Sequence, residues 1–547
     1  MNNFTEDYRN EFIEFISDLS EQFDSFDWWC TSVSEKNIFI GNSLFRILNG
    51  DDLELAGYDK FSLKKYYKSR RRFFDNNISN EVKFPDFEPS KKYIGLLTWI
   101  DDRNFAVDGE YKDTYFNQLY NQLKSRNDFL LLTNRLYTIS NTKAQNLLRK
   151  NNIPFIDIFK CYRKSDVIKS ILFSLYYNPL KKRIFFKKRN IAEILKRNIA
   201  NDLIDNRFAQ YYLMYYSIKR IAERGINFDR IIYPFENQPW EKILCYSVKK
   251  FMPYTKLIGY MHTAPLPDLV SLFPGKYEKE KMPQPDYIFT TGKLTADELK
   301  KNYDSKKIIE NCALRYEYIF KAAPAGFKNK NKNILVALSV DYNKSLVMVY
   351  KVYQAFKDTQ DYKIFIKAHP TYNLDLRDLR IPEFTGCENE RIEETKIKSG
   401  IMPQNFEHGE RSAEKEIQKN HRVNGLSTPR NYFLPEHFNI VNKPVSEILP
   451  DMELVLNCES TIGLEALKMH IPVIDIELKN FTHLSRMDYC PEIKISAGTT
   501  EEIVKKSEEI LSWTEERKKI YFEKTDEFIK YCFNPVSEEY IERFLKI

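Results

Sequence analysis

Leu454-Val-Leu-Asn-Cys-Glu-Ser-Thr-Ile-Gly-Leu-Glu-Ala-Leu-Lys-Met-His-Ile-Pro-Val-Ile-Asp475 is an apolar run, a polar turn, a stretch of helical period and a second apolar run opened by proline. It reads as strand, turn at Glu459-Ser460-Thr461, helix and strand, the repeating unit of a doubly wound parallel sheet. Ligands of such sheets bind beyond the carboxyl ends of the strands, so the turn is where chemistry is expected. Ser460 and Thr461 fall at the N-cap, and Gly463 leaves room for a ligand at the first helical turn, whose N–H groups and dipole attract phosphate. The plainer reading is an ordinarily capped crossover helix.

Working outward, Lys363-Ile-Phe-Ile-Lys-Ala-His-Pro370 is an apolar strand ending in His369 and Pro370. If the extended conformation persists, Lys367 and His369 share a face, and both meet the phosphate expected at the Ser-Thr turn. Asn333 to Ser339, Leu454 to Leu456 and Pro472 to Ile476 complete this half, and Ser339, at the end of its first strand, is a further candidate to bind the phosphate. The same rhythm runs earlier through Tyr93 to Trp99, Phe129 to Thr133, Arg230 to Tyr233, Lys256 to Met261 and Tyr287 to Thr290. The Lys- and Asn-rich stretch Lys328 to Lys332 separates the halves. The expected organisation is therefore α/β, with a Rossmann-like domain over 1–327, a second over 328–510 carrying an insertion at about 381–435, and C-terminal helices over 511–547 that cross back to the first domain. A strand at Asn37 to Ile40 precedes this alternation.

Acid–base candidates follow the strands of the first half. Asp101 and Asp102 succeed Tyr93 to Trp99 and are suited to act as base on a hydroxyl, or as nucleophile. Against this stands an acidic pair at a helix N-terminus balancing Arg103. Glu236 follows Arg230 to Tyr233, and Asn237, Gln238 and Trp240 beside it offer hydrogen bonds and an aromatic face to a sugar; capping of the helix near Pro239 is the alternative. His262 follows Lys256 to Met261 and is placed to orient an acceptor, while Arg315 offers a bidentate guanidinium to a carboxylate or phosphate.

Lys-Ala-His-Pro followed downstream by Glu-Ser-Thr-Ile-Gly-Leu-Glu-Ala resembles the HP and Ser/Thr motifs of GT-B transferases that use CMP-activated nonulosonic acids, the sialyl- and Kdo-transferases, and of related capsule enzymes. Trp28-Trp29-Cys-Thr-Ser-Val-Ser-Glu-Lys-Asn37, Leu97-Thr-Trp-Ile-Asp-Asp-Arg-Asn-Phe105, Glu236-Asn-Gln-Pro-Trp-Glu241 and Ala313-Leu-Arg-Tyr-Glu317 are similar to bacterial proteins of surface carbohydrate biosynthesis. The resemblance implies a GT-B architecture of two Rossmann-like domains facing a central cleft. It implies a glycosyltransferase moving Kdo or a related sugar from a CMP donor to a capsule, O-antigen or lipopolysaccharide acceptor, free or lipid-linked. It also implies that His369, Pro370, Ser460 and Thr461 hold the donor phosphate. Where sialyltransferases place Gly after the acidic residue of the first domain, this chain has Arg103. A CDP-polyol phosphotransferase, a sugar-nucleotide epimerase and a non-catalytic scaffold of polysaccharide assembly are the alternatives.

Composition bounds the rest. The 547 residues suit two domains better than one. The net charge of +7, from 84 basic and 77 acidic residues, comes with no nucleic-acid-binding signature. No apolar run reaches a spanning length and no leader pattern opens the chain, so a cytoplasmic protein is expected. The basic stretch Lys64 to Arg72 leaves open a peripheral contact at the inner membrane, the solvated face being the plainer reading. Eight isolated cysteines and seven histidines without ligand spacing predict no disulfide, no metal and no cofactor beyond the sugar nucleotide.

Overall fold

A computed structural model describes residues 6–36, 62–78, 87–88, 91–106, 108–136, 141–267, 269–321, 332–369, 374, 434–478 and 485–546. The expected strand at Asn37 to Ile40, Pro370 and all but the end of the 381–435 insertion lie outside them. The chain divides into two compact units, Met1–Glu317 with Lys530–Ile547, and Tyr318–Ile529.

The first unit is built on seven parallel strands: β1 (Lys92–Ile100), β2 (Phe129–Leu136), β3 (Phe155–Asp157), β4 (Asn227–Pro234), β5 (Lys256–Met261), β6 (Tyr287–Thr290) and β7 (Ile308–Glu310), in the order β3-β2-β1-β4-β5-β6-β7. β1 is an interior strand, buried at every position after Lys92, as near-continuous apolar strands are when helices cover both faces. Gly95 suits this crowding: a Cβ there would stand 3.0 Å from the Leu132 side chain and 3.1 Å from that of Phe228.

The end of the chain belongs to this sheet. Asn534 donates its N–H to the Thr291 carbonyl at 2.9 Å and accepts from the Ala313 N–H at 2.9 Å. The buried Phe544 ring lies 4.5 Å from Phe289 and 5.7 Å from Tyr260. Gly292 permits the approach, since a Cβ on it would fall 2.5 Å from the Cys532 carbonyl oxygen.

The second unit carries six parallel strands: β8 (Asn333–Ala337), β9 (Lys363–Lys367), β10 (Phe438–Ile440), β11 (Leu454–Asn457), β12 (Val473–Ile476) and β13 (Ser496–Ala497), ordered β10-β9-β8-β11-β12-β13. The α/β class and the two doubly wound parallel sheets agree with the sequence reading. Every long strand lies where expected within a few residues. The additions β3, β7, β10 and β13 have two or three residues each, too short to show a period. Among the described residues no helix is long and apolar enough to cross a membrane.

Candidate functional site

In the first sheet the winding reverses between β1 and β4, the place where open α/β sheets bind ligands. The loops after β1, β4 and β5 meet there, bringing Asp101, Glu236 and His262 to one edge.

The loop after β4 is shaped by Glu241, a buried residue in the first turn of the helix Pro239–Phe251. Its carboxylate accepts the N–H groups of Glu236 at 3.0 Å, Asn237 at 3.0 Å and the N-cap residue Gln238 at 3.1 Å, satisfying the cap and the two loop donors before it. Asn237 turns the chain with φ of 59°. Glu241 thus does the capping weighed for Glu236, and the Glu236 side chain is left for other contacts. One of its oxygens accepts from Gln238 Nε2 at 2.5 Å, and the other lies 3.5 Å from His262 Nε2. About a third of that side chain remains exposed, while His262 is buried. Burial raises the Glu236 carboxyl to about 7; the Arg315 charge and the Gln238 hydrogen bond work against the rise, and Glu35 adds to it. The His262 ring is fixed edge-on between Trp99 at 5.8 Å and Tyr115 at 5.1 Å, and the half-buried Arg315 guanidinium lies 5.2 Å over the Tyr115 ring. A carboxyl that exchanges its proton near neutrality, a histidine and an arginine therefore share this edge.

Three expectations need correction here. Asp101 is not an open base: it is buried, its Oδ1 accepts the Arg103 N–H at 2.8 Å, and the Arg103 guanidinium grips it at 2.5 Å. It caps a short helical turn, the plainer of its two readings, while Asp102 is exposed and 3.3 Å from Lys143 Nζ. Trp240 offers no face to a sugar: only 1% of it is exposed, it lies against Trp99 and Tyr233, and its Nε1 donates to Gln238 Oε1 at 2.9 Å. Asn237 is buried too, and its Nδ2 donates to the Ser271 carbonyl at 2.9 Å.

In the second sheet the winding reverses between β8 and β11. Lys367 pairs with Ala337 and Ala337 with Asn457, so His369, Ser339 and Glu459 each stand two residues beyond one row of the sheet. His369 and Lys367 are half-buried at this edge. The residue that sequence reading passed over is Glu459. It holds φ of 62°, unusual for a side chain with a Cβ. Its carboxylate takes the Ser339 hydroxyl at 3.0 Å and Lys344 Nζ at 2.5 Å, and its carbonyl takes Arg486 Nη1 at 2.8 Å. Lys344 and Glu459 are both buried, and Ser339, expected on a phosphate, is engaged inside this network. The adjacent acidic letter in Glu459-Ser460-Thr461 was a signal; its lysine partner, 115 residues away, was not.

The turn itself differs from expectation. Ser460 Oγ accepts from the Ile462 N–H at 3.3 Å, but the Thr461 hydroxyl donates to Glu465 Oε1 at 3.4 Å instead of capping the helix Ile462–Lys468. Gly463 points inward, since a Cβ there would lie 3.0 Å from Asn457 Nδ2. It makes room for Asn457 and not for a ligand.

No protein-family model matches this chain, and no curated protein matches it. Among solved structures it is similar to a UDP-GlcNAc 2-epimerase of Methanocaldococcus jannaschii in complex with UDP-GlcNAc and UDP, at 11% identity and TM-score 0.43 over 83% of this chain and 98% of that one. The glycotransferase of kitacinnamycin gives 10%, 0.42, 81% and 95%. TarM of S. aureus gives 12%, 0.41, 83% and 99%. Likeness of this degree says nothing about chemistry.

Proposed function

We propose that the protein is a sugar-nucleotide-dependent glycosyltransferase of the GT-B type, with proton transfer assigned to its first unit and phosphate recognition to its second. The observation that carries the reading is Glu236, raised to about 7, partly open, and 3.5 Å from His262 at the switch point of a parallel sheet. A base whose pKa lies near the working pH is the efficient one.

The acceptor hydroxyl oxygen attacks the anomeric carbon of the donor. The bond from that carbon to the phosphate oxygen breaks, its electron pair leaving with the nucleotide, and the hydroxyl proton passes to Glu236. Gln238 holds one oxygen of that carboxylate while His262 flanks the other, which fixes the direction of proton transfer. Arg315 supplies a fixed cation for a carboxylate or phosphate of the substrate. In the second unit Lys367, His369 and Ser460 are the groups assigned to the donor phosphate, where developing charge needs donors already in place. The sequence resemblance supports a CMP-activated nonulosonic acid such as Kdo as donor and a surface glycan as acceptor.

The test is thermal stability with CMP, CDP, UDP or GDP, for the wild type and for His369→Ala. A ligand of the folded state raises the melting temperature by mass action. Stabilisation by CMP, lost in the variant, is the expected result. Stabilisation by UDP instead changes the donor and opens the epimerase reading. No response to any nucleotide, with polysaccharide production intact after Glu236→Gln, leaves a scaffold.

A further inference from the structure

Two helices of the first unit carry exposed apolar side chains. The helix Leu63–Ile78 is held against Lys164–Phe173 and the residues after it by Tyr66 Oη to the Leu175 carbonyl at 2.8 Å and by Arg70 to the Ser174 hydroxyl at 2.7 Å and carbonyl at 2.6 Å. Tyr162 Oη to Asn77 Oδ1 at 2.7 Å closes the other end, so the two run antiparallel. Arg70 is therefore a buried clamp, not part of a solvated basic face.

Tyr66, Arg70 and Phe73 are the buried stripe of the first helix. Leu63, Tyr67 and Phe74 follow at helical spacing just beside it, and they are exposed. Ile168 and Leu172, one turn apart on the second helix, are exposed as well, on the side away from its buried Asp166, Val167 and Ser170, and the exposed Tyr176 follows. Both sets face solvent on two helices paired side by side and antiparallel. Singly such residues need no explanation, but six of them on two paired elements do.

Charge decides the partner. Besides the buried Arg70, Leu63–Ile78 holds five exposed Lys or Arg and one acidic residue, Asp75. Residues 164–189 hold eight and one, and that one, Asp166, is buried in an ion pair with Arg220 at 2.7 Å. Lys64, Lys68, Arg71, Arg72 and Lys169 are exposed around the apolar stripes, as is Lys181-Lys182-Arg183 beyond them. Aliphatic and tyrosine side chains ringed by long cationic ones are the composition of an interfacial surface, in which apolar groups enter the acyl boundary and ammonium and guanidinium groups meet lipid phosphates.

We infer that this paired-helix face docks on the surface of an anionic lipid bilayer. The inference stands on its own surface and does not depend on the sugar-nucleotide reading. It is tested by sedimentation of the full chain with vesicles of phosphatidylcholine alone or containing phosphatidylglycerol, at low and high salt. Comparison is with Lys68→Glu/Arg72→Glu and with Tyr67→Ser/Leu172→Ser, all at exposed positions, with melting temperature and solution mass recorded for each. Expected are binding that requires phosphatidylglycerol, at least tenfold weakening by the charge reversal, and several-fold weakening by the apolar pair with fold and mass unchanged. Absence of wild-type binding overturns it. So does equal binding to a soluble polyanion that ignores the apolar pair, which makes the face a polyanion site. A wild-type dimer that becomes monomeric in the apolar variant also overturns it, since the face then joins two copies of the chain.

Discussion

Glu236 and Glu459 occupy equivalent places: each follows a strand beside the point where its parallel sheet reverses direction. Their surroundings are opposite. Glu459 is sealed, with a lysine on one oxygen and a serine on the other, so its charge is spent on holding the turn. Glu236 has a glutamine on one oxygen, a histidine at 3.5 Å from the other, and about a third of its surface open. Topology marks where a carboxylate can be useful; the immediate partners decide whether it exchanges protons or ties the backbone.

Removing the exchanging group should have the largest effect. Glu236→Gln keeps a similar shape beside Gln238 and loses the base, so transfer should fall about 10²–10⁴-fold with little change in melting temperature. The wild-type rate should also rise with pH through about 7, as the carboxyl raised by burial gives up its proton, and this limb should vanish in the variant. Asp101→Asn makes the contrast: it loosens the Arg103 grip and costs stability first. If Asp101→Asn abolishes transfer in a folded protein while Glu236→Gln does not, the roles are reversed.

Breaking the sealed pair should do the opposite. Lys344→Met leaves the Glu459 carboxylate buried without its cation, a change that costs about 3–5 kcal/mol in folding stability. Adding Glu459→Gln should recover part of that loss, because the uncompensated charge is gone. Chemical denaturation of the single and double variants reads both numbers. A Lys344→Met protein as stable as the wild type would show that the pair does not hold the turn.

Asp475 separates burial from pairing. It is 2% exposed and raised to about 6, burial being the main cause, with hydrogen bonds from Ser485 and Asn457 opposing. Its ordinary value is near 3.8, so the folded state binds the extra proton between about pH 4 and 6. The stability this contributes is fully present below pH 4 and is lost as pH rises through 6, roughly 3 kcal/mol in all. Asp475→Asn keeps an acceptor for Asn457 and should flatten that loss. Denaturation at pH 4.5 and 7.5 should show a smaller fall for the variant; an equal fall would assign the dependence to other raised carboxyls, such as Asp157 and Asp202, both also raised to about 6.

The comparison also shows what a sequence discloses. Buried parallel strands announce themselves because both faces are apolar, and so Tyr93 to Trp99 and Asn333 to Ser339 marked their sheets. Glu236 was legible because it follows such a strand. Its release from capping was not, since that depends on Glu241 reaching back to three N–H groups. Trp240 misled because an aromatic letter after a strand is the same whether its ring is open or, as here, buried against Trp99. Lys344 lay hidden because its partner is 115 residues distant, and no local spacing records such a contact.

Gly463 gives the smallest test and the sharpest one for the second turn. Sequence pattern makes it an opening for a ligand; the geometry turns its missing Cβ toward Asn457, 3.0 Å away. Gly463→Ala gains helix propensity of about 1 kcal/mol, but the new methyl presses on a side chain already committed to Asp475 at 3.1 Å. Asn457 must give by a few tenths of an ångström and lengthen that hydrogen bond, so the two effects should nearly cancel, leaving a net change within about 1 kcal/mol. Nucleotide-induced stabilisation should then match the wild type, because the methyl does not face the solvent side of the turn. If the variant instead loses nucleotide response at unchanged stability, the glycine serves the ligand and the inward contact is incidental.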